Sequence, residues 1–500
     1  MLIVFLFKRT EKQIKVWYYK WDNILKEIGM VLKKCLKRLF VGMIFFSFLF
    51  VTQVSAEEMP SMMDLINESG FTVNEADKPK GAVLIDANTG QFLWGENPDT
   101  PHNPASIMKL MVVYLVYQAI EEGQLTLDTT IEANERYVAI SQIYQLSNNK
   151  IQLGASYPVR ELLKMAVVPS SNVATVMLAD LVEPNAVLML QKMNDTAKEL
   201  GMTNTKIVNI TGAEISAFQG MYAAEGVDTS TLEVEASNTT TARDLATFTY
   251  FLLSKYPDIL TITNSPKVTS MLGTPFEETF DTYNYSLPGL EYSYEGVDGL
   301  KTGSSPSGGF NIDMTAKKGD LRLIAIVLGV GDWADQTGEY KRHPFANAML
   351  NYGFSHYEYK TILESGEHEI DGKVIMTDKS LYDTVKKDES YTLSLDDGNV
   401  LVVNGIEKIS ATIPVVEVSY KEKEEEHSVK KALKNTPVES IALSIPTTQS
   451  EWLQIAKRFW KEIVIGFISL IFLLFLIIWY IIKRNRRKRI KERMKRYSRR

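Results

Sequence analysis

Cysteine is almost missing from this chain of 500 residues, which contains Cys35 and no other. Disulfide frameworks and cysteine-based metal sites are therefore excluded. The chain also has no Gly-x-Ser-x-Gly and no His-Glu-x-x-His sequence, the signatures of common hydrolases and zinc proteases. With 45% apolar and 23% charged residues, the composition is that of a folded protein, and the length allows two or three domains.

Basic residues are scarce in the middle of the chain and concentrated at its two ends. Residues 1–56 hold ten basic and three acidic side chains, and residues 483–500 hold twelve and one. The remaining residues, 57–482, therefore carry 33 basic and 57 acidic side chains, a net charge of −24. A body this acidic repels phosphate backbones, so we expect no nucleic acid among the partners.

The amino-terminal end has the pattern of a secretory signal. Several lysines precede the apolar stretch Leu39–Val51, and the small residues Ser55 and Ala56 then form a cleavage site before Glu57. We therefore expect residues 1–56 to be a signal peptide, and the mature chain to have no thiol. The sequence leaves open whether translation begins at Met1 or at Met30, because Met30 begins a signal of ordinary length.

The carboxyl-terminal end predicts a membrane anchor. Residues 463–482 carry no charge and are long enough to cross a hydrocarbon core of ~30 Å as a helix. The basic tail 483–500 follows and is expected in the cytoplasm by the positive-inside rule. The sequence thus predicts a single-pass protein of the cell membrane whose body lies outside.

Between these ends the sequence predicts an α+β domain over residues 57–358. Gly81–Ile85 and Leu321–Val330 are apolar, β-branched runs that predict buried strands. Leu110–Ile120 has no charged residue and predicts a buried helix, and Glu161–Leu181 is also expected to be helical.

A smaller all-β domain is predicted over residues 359–445. Its turn signals are the Asp-Gly and Asn-Gly pairs at 371–372, 397–398 and 404–405. Val416, Val418 and Tyr420 alternate with polar residues, as expected of a strand with one wet face. Residues 446–462 are expected to be a spacer that leads to the membrane.

A serine and a lysine three residues apart form the first candidate catalytic pair. On a helix, Ser106 and Lys109 share one face, and the apolar run after Lys109 could bury its amine. Burial lowers the pKa of a lysine and lets it act as a base. The same Ser-x-x-Lys pattern recurs at Ser147–Lys150 and Ser428–Lys431, but both stretches are polar and are expected to be exposed.

Two further motifs support a catalytic role for the first pair. Ser170 and Asn172 lie two residues apart within an apolar, helical stretch and can point a hydroxyl and an amide into one cleft. The only Lys-Thr-Gly of the chain begins at Lys301, and Gly303 has no side chain to hinder a substrate backbone. No motif predicts a metal or cofactor.

Together the three motifs resemble those of the penicillin-recognising serine enzymes. The surrounding residues are similar to the D-alanyl-D-alanine carboxypeptidases, the low-molecular-mass penicillin-binding proteins. The resemblance covers roughly residues 60–420. It implies a penicillin-binding, transpeptidase-like fold in which a β-sheet carries a helical subdomain, followed by a small β domain. The stretches that carry it are 104–111, 241–246, 297–303 and 351–354.

The resemblance also implies a role for each residue. Ser106 would attack the peptide carbonyl, Lys109 would take its proton, and Ser170 and Asn172 would relay protons and hold the substrate amide. The other positions would bind substrate: Lys301 by its charge, Thr302 and Arg243 at the terminal carboxylate, Gly303 by its missing side chain, and Ser304 through its backbone N–H in the oxyanion hole. The implied reaction removes the terminal D-Ala from the pentapeptide stems of peptidoglycan, with β-lactams as covalent inhibitors and no cofactor.

Some features depart from the family pattern. The usual Asn-Pro-x-Gly-Leu is replaced by residues 209–213, and the stretch 220–240 looks inserted.

Two other functions stay open. A class A β-lactamase would need a Glu-x-x-Leu-Asn element, of which Glu183-Pro184-Asn185 is a poor imitation. The second is a catalytically silent scaffold that binds the cell wall.

Overall fold

The computed structural model describes residues 59–335 and 337–422. The predicted signal peptide 1–56, the spacer 446–462, the span 463–482, the basic tail and Ser428–Lys431 lie outside the described residues. Within the described ranges, no single helix is long and apolar enough to cross a bilayer. One pair of helices, 172–182 and 186–199, meets these criteria only jointly and is bent by 87° between them.

Helices account for much of the region before residue 357. They are α1 (Met62–Glu68), α2 (Lys109–Glu121), α3 (Glu135–Ser141), α4 (Val159–Val167), α5 (Asn172–Val182), α6 (Ala186–Glu199), α7 (Ala242–Lys255), α8 (Leu260–Thr263) and α9 (Gly338–His356).

Strands occur throughout the described chain and are the main elements after residue 357. They are β1 (Gly81–Asp86), β2 (Phe92–Glu96), β3 (Thr130–Glu132), β4 (Ser156–Pro158), β5 (Lys267–Ser270), β6 (Glu278–Asp281), β7 (Val297–Ser305), β8 (Gly309–Lys318), β9 (Leu321–Val330), β10 (Tyr357–Leu363), β11 (Gly366–Ile370), β12 (Lys373–Thr377), β13 (Leu381–Lys386), β14 (Thr392–Asp396), β15 (Asn399–Val403) and β16 (Glu417–Glu422).

The largest sheet of the first region is antiparallel, with the strand order β2-β1-β9-β8-β7. β1 and β9 are two of the apolar runs predicted to be buried strands, and both predictions are confirmed. Every residue of β1 and nearly every residue of β9 is buried, because helices cover both faces of the sheet. β7 lies at the edge of this sheet and pairs there with β8 alone.

Two apolar cores flank this sheet. On one face α1 and α9 pack against it, and Leu84 and Leu323 meet Leu350 in the shared core. On the other face α7 packs against β1 and β9, and the core continues into the helices α2 to α6. α2 is buried almost all round, as its uncharged sequence predicts. The predicted α+β architecture is confirmed.

The predicted continuous helix Glu161–Leu181 is wrong, because the chain breaks between α4 and α5. Pro169 has no N–H to donate to the Met165 carbonyl, which accepts instead from the backbone N–H of Ser171, at 2.9 Å. Ser170 takes a φ of +62°, and the Ser171 side chain caps α5 by accepting from the Ala174 N–H. The break turns Ser170 out of the helix.

The predicted all-β region is confirmed over the described residues. Its five-stranded sheet has the order β11-β12-β16-β15-β14, and β10 pairs separately with β13. Asp371-Gly372 and Asp397-Gly398 form two hairpin turns with positive φ at both residues, as type I′ turns require. In β16, Val418 is buried between the exposed Glu417 and Ser419, which matches the predicted alternation.

Residues 404–413, between β15 and β16, return to the first region and join its core. Ile409 and Ile413 are buried among the helices on the α7 side of the sheet. Ile413 lies where a side chain on Gly90 would sit, since an added Cβ would lie 2.7 Å from its Cδ1. The β-rich region is therefore held to the first region by side chains in a shared core.

We expect Ile413→Ala to lower the free energy of unfolding of the full chain by about 2–5 kcal/mol, because it removes buried methyl groups and leaves a cavity. Val415→Ala is the matched control, since Val415 is 62% exposed, and should change stability by about 0.5 kcal/mol or less. Denaturant unfolding measures both. Equal losses would contradict the shared core.

Candidate active site

Ser106 lies in a short 3₁₀ turn, Ala105–Met108, that leads directly into α2. Ala105 has a φ of +50°, a conformation that surrounding structure must impose on a residue with a Cβ. Two glycines approach this turn: a Cβ on Gly212 would lie 2.0 Å from the Ala105 carbonyl oxygen, and one on Gly303 would lie 2.2 Å from that of Pro104. The nucleophile is thus fixed between the 209–213 loop and strand β7.

The amine of Lys109 reaches the hydroxyl of Ser106. The Nζ–Oγ distance is 2.7 Å, and a second contact of 3.3 Å joins Nζ to Ser170 Oγ. Lys109 is fully buried, and burial lowers its pKa to about 7. A lysine with this pKa is largely neutral just above neutral pH and can take the proton of Ser106.

The break between α4 and α5 brings Ser170 and Asn172 to the same place. Asn172 is buried, and both its Nδ2 and its backbone N–H donate to the Ser147 carbonyl, at 2.9 and 2.8 Å. Its Oδ1 makes no hydrogen bond within the described chain. This buried oxygen therefore keeps an unused acceptor capacity, whereas the Nδ2 is used to hold the 147 loop.

Strand β7 supplies the third motif. Lys301 is buried, and its Nζ donates to the Thr302 carbonyl at 2.8 Å. Burial, together with the nearby charges of Lys109 and Arg342, holds the pKa of Lys301 well below its usual range. Because Gly303 has no side chain, β7 can pack directly on the turn that carries Ser106.

The guanidinium at this site belongs to Arg342, on α9, and not to Arg243. Arg342 is buried, and its Nη1 donates to Ser304 Oγ at 2.9 Å. Arg243, which was expected at the terminal carboxylate of the substrate, does not line the site. That side chain forms an ion pair with Asp99 and donates to the Ile409 carbonyl, so it holds residues 404–413 rather than a substrate.

A cavity of about 300 Å³ joins these groups. The motif residues Ser106, Ser170, Thr302 and Ser304 line it together with side chains that the sequence did not identify. The added residues are Ser147, Tyr283, Phe310, Trp333, Asp335, Glu339 and Arg342. They come from loops, from β8 and from α9, and of these only Ser147 belonged to a motif, the exposed Ser-x-x-Lys copy. Trp333 is 45% exposed and stacks on Phe310.

Two other sequence patterns were candidates for related chemistry, Ser147–Lys150 and Glu183-Pro184-Asn185. Ser147 is exposed, as expected, but it lies at the rim of the cavity. Glu183 accepts from the Asn185 N–H in the turn between α5 and α6, and neither residue lines the cavity. The element resembling a β-lactamase deacylating group is therefore not at the nucleophile.

Comparison with known proteins agrees with this geometry. The sequence profile described as D-alanyl-D-alanine carboxypeptidase, peptidase family S11, matches residues 71–332, more than half of the chain. The chain belongs to this family. A second profile, described as a domain of unknown function (DUF1958), matches residues 359–421. The resemblance inferred from the three motifs is confirmed.

Individual relatives are similar over the same part of the chain. The D-alanyl-D-alanine carboxypeptidase DacF of Bacillus subtilis (strain 168) is 29% identical over 285 residues, 57% of this chain and 64% of its own length. DacC of Escherichia coli (strain K12), of the same description, is 27% identical over 300 residues, 60% of this chain and 66% of its own. The chain thus spans just under two thirds of these relatives.

A solved structure extends the likeness of fold into the β-rich region. The crystal structure of a peptidoglycan synthesis regulatory factor (PBP3) from Streptococcus pneumoniae covers 71% of this chain and 100% of its own, with a TM-score of 0.58 and 24% identity. The predicted fold class, a penicillin-binding, transpeptidase-like domain followed by an all-β domain, is confirmed.

Because Lys109 must be neutral to accept a proton, we expect acylation by benzylpenicillin to depend on pH. Its second-order rate constant should reach half its maximum near pH 7 and fall about tenfold for each further pH unit below, as the amine gains its proton. Lys109→Ala should lower the plateau by about 10²–10⁴-fold. Stopped-flow or quenched mass spectrometry gives the rates.

Lys150→Ala is the control, because Lys150 belongs to the exposed Ser-x-x-Lys copy and should leave the profile unchanged. A rate that does not vary between pH 5 and pH 8, or wild-type rates in Lys109→Ala, would contradict the assignment of the base.

Proposed function

We propose that this protein removes the terminal D-alanine from peptides that end in D-Ala-D-Ala, the stem peptides of cell-wall peptidoglycan, through an acyl-enzyme on Ser106. The observation that carries this proposal is the buried amine of Lys109, 2.7 Å from the Ser106 hydroxyl. Membership of the D-alanyl-D-alanine carboxypeptidase family supports it.

In the first half-reaction, Ser106 Oγ attacks the scissile carbonyl while its proton passes to Lys109. The backbone N–H groups of Ser106 and Ser304 stabilise the oxyanion. When the intermediate collapses, the leaving D-Ala nitrogen takes a proton through Ser170, whose Oγ lies 3.3 Å from Lys109 Nζ. Water then attacks the ester with Lys109 as base, and Ser106 regains its proton.

The buried guanidinium of Arg342 supports a substrate with a free carboxylate. Lys109, Lys301 and Arg342 are buried together, and the carbonyl of Thr302 is the hydrogen-bond partner of the Lys301 amine. Burial also lowers the pKa of Arg342 to about 10. A carboxylate at Thr302 and Arg342 would offset the charge of the buried guanidinium, which favours a terminal over an internal peptide bond.

The same features support covalent inhibition by β-lactams. The strained amide of a β-lactam would take the position of the scissile peptide bond, and its adjacent carboxylate would take that of the substrate carboxylate. The buried lysines argue against a silent scaffold, for which a buried lysine would be an unneeded cost in stability.

The remaining alternative, a β-lactamase, requires rapid deacylation, and Glu183 is not in the cavity. Slow turnover of nitrocefin would separate a carboxypeptidase from it.

Incubation of the full chain, purified in detergent, with diacetyl-L-lysyl-D-alanyl-D-alanine should release free D-alanine, and benzylpenicillin should add its mass to Ser106. Ser106→Ala should lose both, because the ester can no longer form.

Arg342→Gln should raise the KM for the peptide roughly tenfold or more, since it removes a charge-assisted hydrogen bond to the carboxylate.

Arg243→Gln is the matched control, because Arg243 contacts Asp99 and residue 409 instead of the cavity, and it should keep the wild-type KM. Absence of D-alanine release, or acylation that persists in Ser106→Ala, would contradict the proposed function. A KM that responds to Arg243 and not to Arg342 would contradict the carboxylate assignment.

We further propose that residues 463–482 anchor the protein in the cell membrane with its catalytic region on the wall side. These twenty residues carry no charge, and the basic tail 483–500 resists translocation. The location suits an enzyme whose substrate is the cell wall.

Deletion of residues 459–500 should therefore move the protein from the membrane fraction to the medium with its penicillin binding intact. Deletion of residues 424–445 spares the apolar run and should leave the protein in the membrane fraction. Fractionation followed by labelling with a fluorescent penicillin measures both. Membrane attachment that survives loss of 459–500 would show that another segment anchors the chain.

A further inference from the structure

The residues just before the nucleophile are held against the hairpin that β7 and β8 form. The Nε2 of His102 donates to the Gly308 carbonyl at 2.7 Å, and the side chain of Asn311 donates to the Asn103 carbonyl at 3.1 Å. A Cβ added to Gly308 would lie 2.5 Å from that same carbonyl oxygen, so the two segments touch. Asn103, three residues before Ser106, therefore lies in the contact between them.

The side-chain amide of Asn103 is used on both sides of this contact. Its Oδ1 accepts from the backbone N–H of Ala105, at 2.9 Å. Its Nδ2 donates to two hydroxyls of the hairpin, Ser307 Oγ at 2.8 Å and Ser305 Oγ at 3.2 Å. Because a backbone N–H can only donate, the amide oxygen must face Ala105, which directs the NH₂ group to the serines. One planar group thus joins the turn of the nucleophile to the end of β7.

Ser304 is held through both of its neighbours. On one side, a Cβ added to Gly303 would lie 2.2 Å from the Pro104 carbonyl oxygen, which shows how closely β7 packs on this segment. On the other side, Ser305 accepts the hydrogen bond from Asn103. In the proposed reaction, the backbone N–H groups of Ser304 and of the nucleophile stabilise the oxyanion. The segment before the nucleophile therefore contacts β7 on either side of the second oxyanion donor.

We propose that Asn103 is a positioning residue of the oxyanion hole, whose side-chain amide sets the distance between the N–H groups of Ser106 and Ser304. Asn103 does not line the catalytic cavity, so it acts through these two groups. The inference rests on the proposed acyl-enzyme, in which the two N–H groups meet the developing negative charge. Such an interaction is stronger in the transition state than with bound substrate, so its loss lowers kcat more than it changes KM.

The first test is Asn103→Ala in the full chain purified in detergent, with diacetyl-L-lysyl-D-alanyl-D-alanine as substrate. We expect kcat for D-alanine release to fall roughly ten- to a hundredfold, less than the 10²–10³-fold typical of removing an oxyanion donor outright. KM should change by less than about twofold. Mass spectrometry of the benzylpenicillin adduct counts the competent sites, so that the rates are not affected by misfolded protein.

A boronic acid analogue of the peptide gives a readout that a merely structural role would not move. Its boron forms a tetrahedral adduct with Ser106, and one boron hydroxyl takes the position of the oxyanion. The inhibition constant should therefore rise in Asn103→Ala by about the factor by which kcat/KM falls. The midpoint of the pH profile should stay near pH 7, because Asn103 makes no contact with Lys109.

The hairpin side of the link can be tested without changing Asn103. The double variant Ser305→Ala, Ser307→Ala removes both acceptors of its Nδ2 and should lower kcat with an unchanged KM. Combined with Asn103→Ala it should add little further loss, because the two changes break the same link. This variant also keeps the inference testable if Asn103→Ala does not fold.

Asn103→Asp is the conservative variant and should retain more of kcat than Asn103→Ala does. Its carboxylate still accepts from the Ala105 N–H, and the serine hydroxyls of the hairpin can turn to donate to it. Asn74→Ala is the matched control and should keep wild-type values. The Oδ1 of Asn74 accepts from the Ala76 N–H in the same kind of turn, but Asn74 is exposed and does not line the cavity.

Wild-type kcat per competent site in Asn103→Ala, or a loss confined to KM, would overturn the inference and leave the proposed function intact. So would unchanged affinity for the boronic acid, fully additive losses in the combined variant, or Asn103→Asp no more active than Asn103→Ala. If the wild-type chain neither releases D-alanine nor forms an acyl-enzyme, the proposed function fails and the inference fails with it.

Discussion

The burial of the Lys109 amine is the constraint on which the site depends. Within the described chain its hydrogen-bond partners are the hydroxyls of Ser106 and Ser170, and no carboxylate compensates its charge. The charged form is therefore the unfavourable one, and the neutral amine becomes a base beside the nucleophile. The buried guanidinium of Arg342 lies beside the same cavity and donates to Ser304 Oγ.

Much of the surrounding structure serves to hold these groups at short distances. Pro169 interrupts a helix so that Ser170 can face Lys109, and Gly212 and Gly303 let two chain segments approach the turn of Ser106 within a few ångströms. The β-rich region is joined to this structure, because Ile409 and Ile413 share the core of the helices. The motif side chains Lys109, Ser170 and Lys301 are thus held by buried segments, and loops supply part of the remaining lining of the cavity.

Sequence patterns could predict β1, β9 and α2, because uninterrupted apolar runs require burial on all sides. The expected continuous helix followed the apolar residues on both sides of Pro169 and overlooked the proline, whose missing N–H is itself a signal of a helix break. Arg243 was misplaced because a motif fixes which residues are present and not which way a side chain points. Arg342 lies in a long helix without any motif, and only the packing of α9 against β8 and β9 brings it to Ser304.

Direct titration of the Lys109 amine tests the central claim. The protein would carry lysine labelled with ¹³C at Cε, and Lys109→Arg would assign the resonance. The account predicts a midpoint near pH 7 in the free enzyme, with loss of the perturbed signal when penicillin occupies Ser106. A midpoint above pH 10, the value of an exposed lysine, would contradict it.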